Sequence, residues 1–476
     1  MTPASEVQQW QQTNLTPPTM EPGAFSVELP ETGKRFAGAF AFSWTRAYQL
    51  GLSVVDQSFS VGGMFLANIA LARTQSIEEY GVFALTYSVF TFLSGLHNAA
   101  VLEAYTIYGS GRYHRQFASY AWLLWRGNAR TCLGLMAIVA SVWTLLVWLA
   151  PRYASSTLLG LTLACGVLPT ASFIRRTFYM QRRPELAARL SAVFFFLNAG
   201  LLLLLLRSER FNGFWAFAEA ALAWSFAGLF VTRELPGRTK GEDFLKREPA
   251  YWAEHWKYSR WVLLTALVFQ FLTQGYYWLA AGFLSVKEVG ELRALNNLVI
   301  PLDQVFVAVT LLFLPVLSLR FVEHRLTGLI PLWKNYCLGW LAVTSTFTVF
   351  VLAWGKPMMH ILYAGRFDDV APLLAVLAFL PVIMGIGNTT NAALKAMEKP
   401  QSVFYAYVAS GFATFLIGLP LIVHSGIRGA IYGMLVSAGA YTLAMGMAFF
   451  RSVRLETQAM ASHRDVVPSS RRNEES

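Results

Sequence analysis

Residues 70–85 of the chain read ALARTQSIEEYGVFAL, in which an apolar run ends at Arg73, a short polar turn follows, and a new apolar run begins after Gly81. Residues 279–294 read LAAGFLSVKEVGELRA and make the same kind of turn 209 positions later. The match indicates that one helical hairpin occurs twice in the chain. At this offset the aligned pairs are Ala72 with Ala281, Ser76 with Ser285, Glu79 with Glu288, and Gly81 with Gly290.

The composition around these turns is typical of a membrane protein. Of the 476 residues, 55% are hydrophobic and only 14% are charged, whereas soluble domains carry about a quarter charged residues. A helix crosses a bilayer with roughly 20 apolar residues, and about twelve segments meet this length. We therefore predict an all-α integral membrane protein. The segments lie near 47–72, 81–104, 131–150, 155–174, 187–206, 212–232, 259–284, 289–318, 333–354, 370–394, 402–423 and 427–450.

The basic residues predict how the chain is oriented in the membrane. The odd-numbered loops between the twelve segments carry eight Lys or Arg residues, and the even-numbered loops carry twenty-one. Basic residues accumulate on the cytoplasmic side of membrane proteins. We therefore expect the even loops and both termini to lie in the cytoplasm. The net charge of +11 then belongs to a rim that faces anionic lipid headgroups, and no nucleic-acid partner is expected.

Two further matches extend the repeat. Arg152-Tyr153 aligns with Arg366-Phe367, and Arg183-Pro184 aligns with Lys399-Pro400. Each copy contains an even number of spans, so both copies have the same orientation, as in the parallel repeats of many secondary transporters. The predicted domains are a disordered cytoplasmic tail at 1–44, a six-helix bundle at 45–232, a basic cytoplasmic linker at 233–255, a second six-helix bundle at 256–450, and a cytoplasmic tail at 451–476.

Several longer stretches resemble a known family. The runs VVDQSFSVGGMFLANIALARTQSIEEYGVFALTYSVF and FLSGLHNAAVLEAYTIYGSGR in the first half are similar to the bacterial polysaccharide and O-antigen flippases. The run VGELRALNNLVIPLDQVFVAVTLLFLPVLS and the ILYAGRF loop of the second half are similar to their C-terminal bundle. These flippases belong to the multidrug/oligosaccharidyl-lipid/polysaccharide (MOP) exporter superfamily, which also contains the MATE transporters.

The resemblance implies a V-shaped transporter with two lobes. It also implies a substrate, a polyprenyl-diphosphate-linked oligosaccharide, which alternating access would move from the inner to the outer leaflet of a bacterial cytoplasmic membrane. A polysaccharide polymerase, glycosyltransferases and membrane lipids are the implied partners. No cofactor and no metal are expected.

The residue most suited to a diphosphate within a span is Arg293, because a guanidinium can bind two phosphate oxygens at once. Asn296 and Asn297 follow at the positions that share its helix face. Gln270 and Gln274, four residues apart, share a face of the preceding helix and are candidates for contacts with the glycan. The alternative is that Arg293 extends to the lipid headgroups and that the amides join helices together.

Three carboxylates lie well inside predicted spans, away from the span ends: Asp56, Glu219 and Asp303. A charge at the centre of a membrane helix costs about 2.5–3.5 kcal/mol even on the lower of the published scales. Each carboxylate therefore needs a cation, a proton or water. We expect at least one of them to couple an ion gradient or a voltage to transport, and the alternative is a static ion pair or a hydrogen bond between helices.

Enzymatic functions are not supported by the motifs. The sequence contains no G-x-x-x-x-G-K-[ST] of a P-loop ATPase, no H-E-x-x-H, no paired metal-ligand His or Cys residues and no G-x-S-x-G. Three other functions stay open at this stage. They are a multidrug or cation antiporter of the same superfamily, a membrane glycan polymerase or ligase, and a scaffold without transport activity.

Overall fold

A computed structural model describes residues 44–110, 113, 116–151, 154–235, 248–397 and 399–466. The predicted disordered tail, the central part of the predicted linker and the last ten residues lie outside the described residues, as does Arg152-Tyr153 of the repeat. The described chain divides at Leu50 into a small N-terminal unit and one large unit from Gly51 onward, and the description below concerns the large unit. We call residues 51–235 the first half and residues 248–466 the second half.

The described residues form helices joined by short turns and loops, and they contain no strand. In the first half the helices are α1 (Trp44–Thr74, which begins in the N-terminal unit), α2 (Ile77–His97), a π-helical turn (Asn98–Leu102), α3 (Glu103–Ser110), α4 (Phe117–Leu149), α5 (Ser156–Met180), α6 (Pro184–Arg207) and α7 (Gly213–Val231), which ends in a 3-10 turn (Thr232–Glu234).

The second half continues the all-α architecture. Its helices are α8 (Glu248–Phe283), α9 (Val286–Asn297), α10 (Ile300–Tyr363), a 3-10 turn (Ala371–Leu373), α11 (Leu374–Leu377), α12 (Leu380–Ala396), α13 (Pro400–Ala413), a π-helical turn (Thr414–Gly418) and α14 (Leu419–Val466).

The two longest helices are each interrupted once. Arg325 has φ 49° and ψ −136° within α10, and Gly426 has φ 59° and ψ −138° within α14. These dihedral angles end one helical stretch and start another. At Gly426 the residue type suits the conformation, because only glycine adopts it without a steric penalty from Cβ.

Nine helices in the described part of the chain are long and apolar enough to cross a membrane. Large apolar side chains on their outward faces are exposed, as lipid contact requires. Trp148 and Phe230 are 82% and 74% exposed. All twelve predicted segments fall on helical stretches, but a count of twelve spans and the two six-helix domains stay predictions.

One predicted span is divided in the structure. The segment near 289–318 consists of α9 and the first part of α10, with a short non-helical step between them at Leu298–Val299. Pro301 takes an early position of α10, where its missing N–H costs nothing because the first helical turn has no acceptor for it. Pro301 therefore begins a helix, whereas the sequence predicted one continuous segment near 289–318.

The sequence repeat corresponds to equal local structure. Ser76 caps α2 by accepting a hydrogen bond from the Glu79 N–H, and Ser285 caps α9 by accepting one from the Lys287 N–H. Pro184 and Pro400 each begin a helix, and the preceding residues have nearly equal dihedral angles, −118° and 62° before Pro184 and −109° and 55° before Pro400. The aligned residues therefore perform the same capping roles in both halves.

Candidate functional site

The two halves touch at several places, and one of them is the crossing of α2 and α9, at the end of the molecule that carries the odd-numbered loops. We call this the outer end, following the predicted orientation. Gly81 and Gly290, which align in the repeat, lie directly against each other. A Cβ added at Gly290 would lie 3.1 Å from the Gly81 nitrogen, and one added at Gly81 would lie 1.8 Å from the Val286 carbonyl oxygen. The absence of side chains at both positions is what allows the two backbones to approach so closely.

A buried polar cluster joins the halves beside this crossing. The amide nitrogen of Asn297 lies 2.9 Å from the Asn68 Oδ1, 3.0 Å from the Tyr80 hydroxyl and 3.2 Å from the Tyr363 hydroxyl. Tyr80 also donates to the Asn68 Oδ1 at 2.7 Å, and Tyr363 donates to the Ala294 carbonyl at 3.0 Å. All four polar side chains are thus held at the contact between α1, α2, α9 and α10.

The loop after α10 adds a charged contact. The Arg366 guanidinium donates hydrogen bonds to the carbonyls of Ala72 and Gln75 at the C-terminal end of α1. These carbonyls have no partner within the helix and carry its negative dipole end, so a cation is favoured there. We call the α2–α9 crossing, the Asn297 cluster and this Arg366 contact the outer closure.

Arg293 lies within the outer closure and is only 8% exposed. Its guanidinium carbon is 4.3 Å from the centre of the Tyr87 ring on α2, and it interacts electrostatically with Tyr277 and Tyr80. Its Nε is buried without a hydrogen-bond partner in the described residues. In this conformation Arg293 therefore reaches neither the headgroups nor an open cavity, and its predicted role in binding diphosphate stays untested.

The predicted glycan-binding amides are also placed between helices. Asn296 donates to the Leu292 carbonyl of its own helix at 2.9 Å. Gln270 packs on α2, where a Cβ added to Gly95 would lie 1.7 Å from its side-chain nitrogen. Gln274 is 9% exposed, and its Oε1 has no partner in the described part of the chain. Their predicted contacts with a glycan stay predictions.

Asp56 is neutralised by a fixed cation. Arg175 on α5 makes two bonds to it, Nε to Oδ1 at 3.0 Å and an Nη to Oδ2 at 2.7 Å. Tyr179 donates to the Asp56 Oδ2 at 2.7 Å and Ser191 to its Oδ1 at 2.5 Å. A buried carboxylate with a bidentate Arg and two hydroxyl donors has its charge and lone pairs satisfied. The geometry matches the static ion pair that the sequence left open as the alternative to ion coupling.

The other two predicted carboxylates have different surroundings. Glu219 on α7 has no exposed surface, and neither carboxylate oxygen has a hydrogen-bond partner in the described residues. Asp303, near the start of α10, is exposed. The three carboxylates thus lie on three different helices, α1, α7 and α10, and have different surroundings.

Sequence reasoning missed three charged residues that lie between the halves away from the outer closure. Glu103 at the start of α3 interacts electrostatically with Lys395 of α12 and with Arg176 of α5. Arg176 also bonds to the Asn98 Oδ1 at 3.4 Å. Glu103 and Lys395 are exposed, and Arg176 is half-buried. We call Glu103, Arg176 and Lys395 the inner charged cluster.

For Arg176 and Lys395 the reason for the omission is the position of the helix ends, whereas Glu103 lies one residue before the end of its predicted span. The predicted spans stop at residues 174 and 394, because charged residues follow in the sequence. The helices continue to Met180 and Ala396, so Arg175, Arg176 and Lys395 lie on helices rather than in loops. A clustering of Arg or Lys directly after an apolar run is the sequence feature that could have revealed them.

Comparison with known proteins places this arrangement in a known fold. No protein-family model matches the sequence, and no curated protein matches it. Among solved structures the chain is similar to an inward-facing multidrug resistance MATE family transporter of the MOP superfamily, with a TM-score of 0.63 and 14% identity over 85% of this chain and 99% of the other. The chain has the fold of the MATE transporters.

Two further similar structures support the same fold. An outward-facing MATE family transporter matches with a TM-score of 0.57 and 13% identity over 86% of this chain and 96% of its own length. A MOP superfamily transporter from Pyrococcus furiosus matches with a TM-score of 0.56 and 12% identity over 87% and 95%, and its binding pocket is described as having reversed polarity that suggests a different function. The predicted MATE-like fold is confirmed, whereas membership of the polysaccharide flippase family stays a prediction.

Proposed function

We propose that this chain flips a polyprenyl-diphosphate-linked oligosaccharide across a bacterial cytoplasmic membrane by alternating access. The observation that carries the proposal is the inner charged cluster, which places a cation from each half, Arg176 and Lys395, around a single carboxylate, Glu103. An anionic diphosphate that displaces the Glu103 carboxylate would be held by cations from both halves. Binding would then draw α12 of the second half toward α5 of the first half.

The outer closure supports the same cycle. A transporter that loads from the cytoplasm must be sealed on the other side, and α2, α9 and the Asn297 cluster close the outer end with direct contacts between the halves. The similarity to the inward-facing MATE structure, which exceeds the similarity to the outward-facing one, agrees with this arrangement. A polar cargo also needs a hydrated cavity between the halves, because the free energy of moving its charged and polar groups through bare hydrocarbon would be far higher.

A multidrug or cation antiporter of the same fold is the second candidate. Asp303 favours it, since an exposed carboxylate on α10 could attract a cationic drug. Asp56 does not favour it, because Arg175 already occupies both of its oxygens. The reversed pocket polarity described for the Pyrococcus furiosus transporter supports the view that proteins of this fold differ in the charge that they accept.

The deciding experiment reconstitutes the full chain in liposomes with a fluorescent polyprenyl-diphosphate oligosaccharide and measures its accessibility to an external glycosidase. We expect the parent protein to make the oligosaccharide rapidly accessible to the glycosidase. The rate should fall strongly with Lys395→Gln and recover with Lys395→Arg. Lys399→Gln is the matched control, since Lys399 lies four residues later, beyond the end of α12 and outside the cluster. Equal exposure with and without the protein would refute flipping.

The antiporter candidate predicts a different pattern. Cells that express the chain would resist lipophilic cations, and Asp303→Asn would abolish this resistance while Lys395→Gln would not. In cells that lack the gene, the flippase function instead predicts that lipid-linked repeat units accumulate on the cytoplasmic face while their assembly continues.

A further inference from the structure

Glu219 is a fully buried carboxylate that the fold leaves without any partner. It lies near the middle of α7, has no exposed surface, and both of its oxygens lack a hydrogen bond in the described residues. Buried polar groups are almost always hydrogen-bonded, so each exception requires an explanation. A bare negative charge here would cost several kcal/mol, and the side chain is therefore stable in this conformation only in a neutral form.

The helices that pack on α7 supply no cation for it. These are α5, α6 and α2, and α7 itself holds no other titratable residue. None of their titratable groups forms a hydrogen bond or an ion pair with Glu219 in the part of the chain that is described. These groups are Cys165, Arg175, Arg176 and Tyr179 on α5, Glu185, Arg189 and Arg207 on α6, and Glu78, Glu79, Tyr80, Tyr87 and His97 on α2.

The ligand that fits a single carboxylate is a proton. A metal cation of the calcium type takes six to eight oxygen ligands, and the described residues contain no group of three or more His, Cys, Asp or Glu side chains that could hold a metal. One proton neutralises Glu219 without any further ligand. The chemistry of the site thus selects H⁺ over a metal ion.

A line of aromatic rings connects α7 to the outer closure. Phe217, two residues before Glu219, has its ring centre 5.3 Å from that of Phe83 and 6.3 Å from that of Tyr87, both on α2. Tyr87 in turn lies 4.3 Å below the Arg293 guanidinium of α9. A displacement of α7 would therefore move rings that support the contact between the two halves.

We propose that Glu219 binds a proton and that loss of this proton opens the outer closure. In the charged form the carboxylate needs water, which it obtains only if α7 moves away from α5 and α6. This movement displaces Phe217 and removes the support of Tyr87 beneath Arg293. The inference concerns the ion that drives the cycle, and it goes beyond the proposed cargo.

The test measures the opening without any substrate. Spin labels are placed at Glu78→Cys and Lys287→Cys, exposed positions in the first turns of α2 and α9, in a full-length protein whose native cysteines Cys132, Cys165 and Cys337 are replaced. Electron paramagnetic resonance then gives the distance distribution in lipid nanodiscs as the pH is varied. In the parent we expect the longer distance to gain population as the pH rises.

Glu219→Gln imitates the protonated side chain and is expected to keep the short distance at every pH. Glu219→Asp keeps a titratable group and is expected to retain a pH-dependent shift. Glu185→Gln on α6 is the control for a different carboxylate on a helix that packs on α7, and it should shift as the parent does. A Glu219→Gln protein that opens with pH like the parent would overturn the proposal, as would a Glu185→Gln protein that has lost the shift.

Infrared spectroscopy supplies a second measurement, which does not depend on a separation of α2 from α9. A buried protonated carboxyl group gives a C=O band that the Gln substitution removes, and an unchanged spectrum would contradict a protonated Glu219. Neither measurement contains a lipid-linked sugar. A protein that fails to flip the oligosaccharide but shows both effects would therefore refute the cargo and leave the proton site standing.

Discussion

Replacing Gly81 with alanine tests the outer closure most directly. The new Cβ would lie 1.8 Å from the Val286 carbonyl oxygen and 2.6 Å from its carbonyl carbon. A relaxed carbon–oxygen contact is about 3.3 Å, so α2 and α9 would have to separate by roughly 1.5 Å. Both atoms that meet the new methyl group belong to backbone, which cannot turn aside as a side chain would.

Overpacking of this kind costs typically about 1–3 kcal/mol. The cost applies only to the closed arrangement, because the two backbones part when the outer end opens. We therefore expect Gly81→Ala to shift the equilibrium toward the open state by roughly 5- to 150-fold. The Glu78–Lys287 spin-label pair measures this shift as the fraction of molecules with the longer distance.

A series of alanine substitutions controls for helix propensity and for general effects of an added methyl group. At Gly290 the nearest atoms are backbone at 3.0 and 3.1 Å, whereas a Cβ at Gly228 of α7 meets nothing within 4 Å. We expect a large increase in the open fraction for Gly81→Ala, a smaller increase for Gly290→Ala and none for Gly228→Ala. Equal opening in all three variants, or none in Gly81→Ala, would refute the view that this crossing holds the outer end closed.

Three further predictions concern other parts of the fold. Arg366→Gln removes a charged donor from the end of α1, and hydrogen bonds to charged groups contribute about 1.5–3 kcal/mol, so the same labels should report at least tenfold more open protein. Arg175→Met leaves Asp56 buried without its cation and should destabilise the protein by about 3–5 kcal/mol in thermal unfolding in detergent. Adding Asp56→Leu should restore much of this loss, and no recovery would contradict the ion-pair interpretation. Gly426→Ala should cost about 1–3 kcal/mol although its Cβ would meet nothing within 4 Å, because the backbone conformation at this position disfavours any Cβ. Unchanged stability would show that the backbone at residue 426 adopts another conformation at no cost.

The repeated turn shows how far sequence reasoning reaches in this protein. Ser76 and Ser285 are N-caps whose oxygens accept backbone hydrogen bonds, and such local interactions can be predicted from a few consecutive residues. Gly81 and Gly290 were recognised as equivalent positions, but their mutual contact was not predicted. A repeat reports which residues are alike, whereas the axis that relates the copies determines which of them touch.

The functional residues were harder to predict because their environment is made by distant helices. Asp56 lies on α1 and its cation Arg175 lies on α5, 119 positions later, so no local pattern joins them. The sequence prediction placed Arg175 in a loop, because a span predicted from hydropathy ends where the first charged residues follow the apolar run. Glu219 lacks such a partner in the described residues, and a single sequence does not reveal this difference from Asp56.

The placement of Arg293 and Asn297 constrains when they could meet a substrate. In the closed arrangement Arg293 faces Tyr87, and the Asn297 amide is engaged with Asn68 and Tyr80. Any separation of α2 from α9 breaks these contacts and leaves a buried guanidinium and several amides in need of new partners. A diphosphate and its hydroxyl-rich glycan offer the matching acceptors and donors. The residues that seal the outer end are therefore chemically suited to a substrate only after opening, and binding at Arg293 would hold the outer end open until the cargo has left. Under the proposed function, loading would instead use the inner charged cluster, whose Lys395 and Glu103 are already exposed while the outer end is closed.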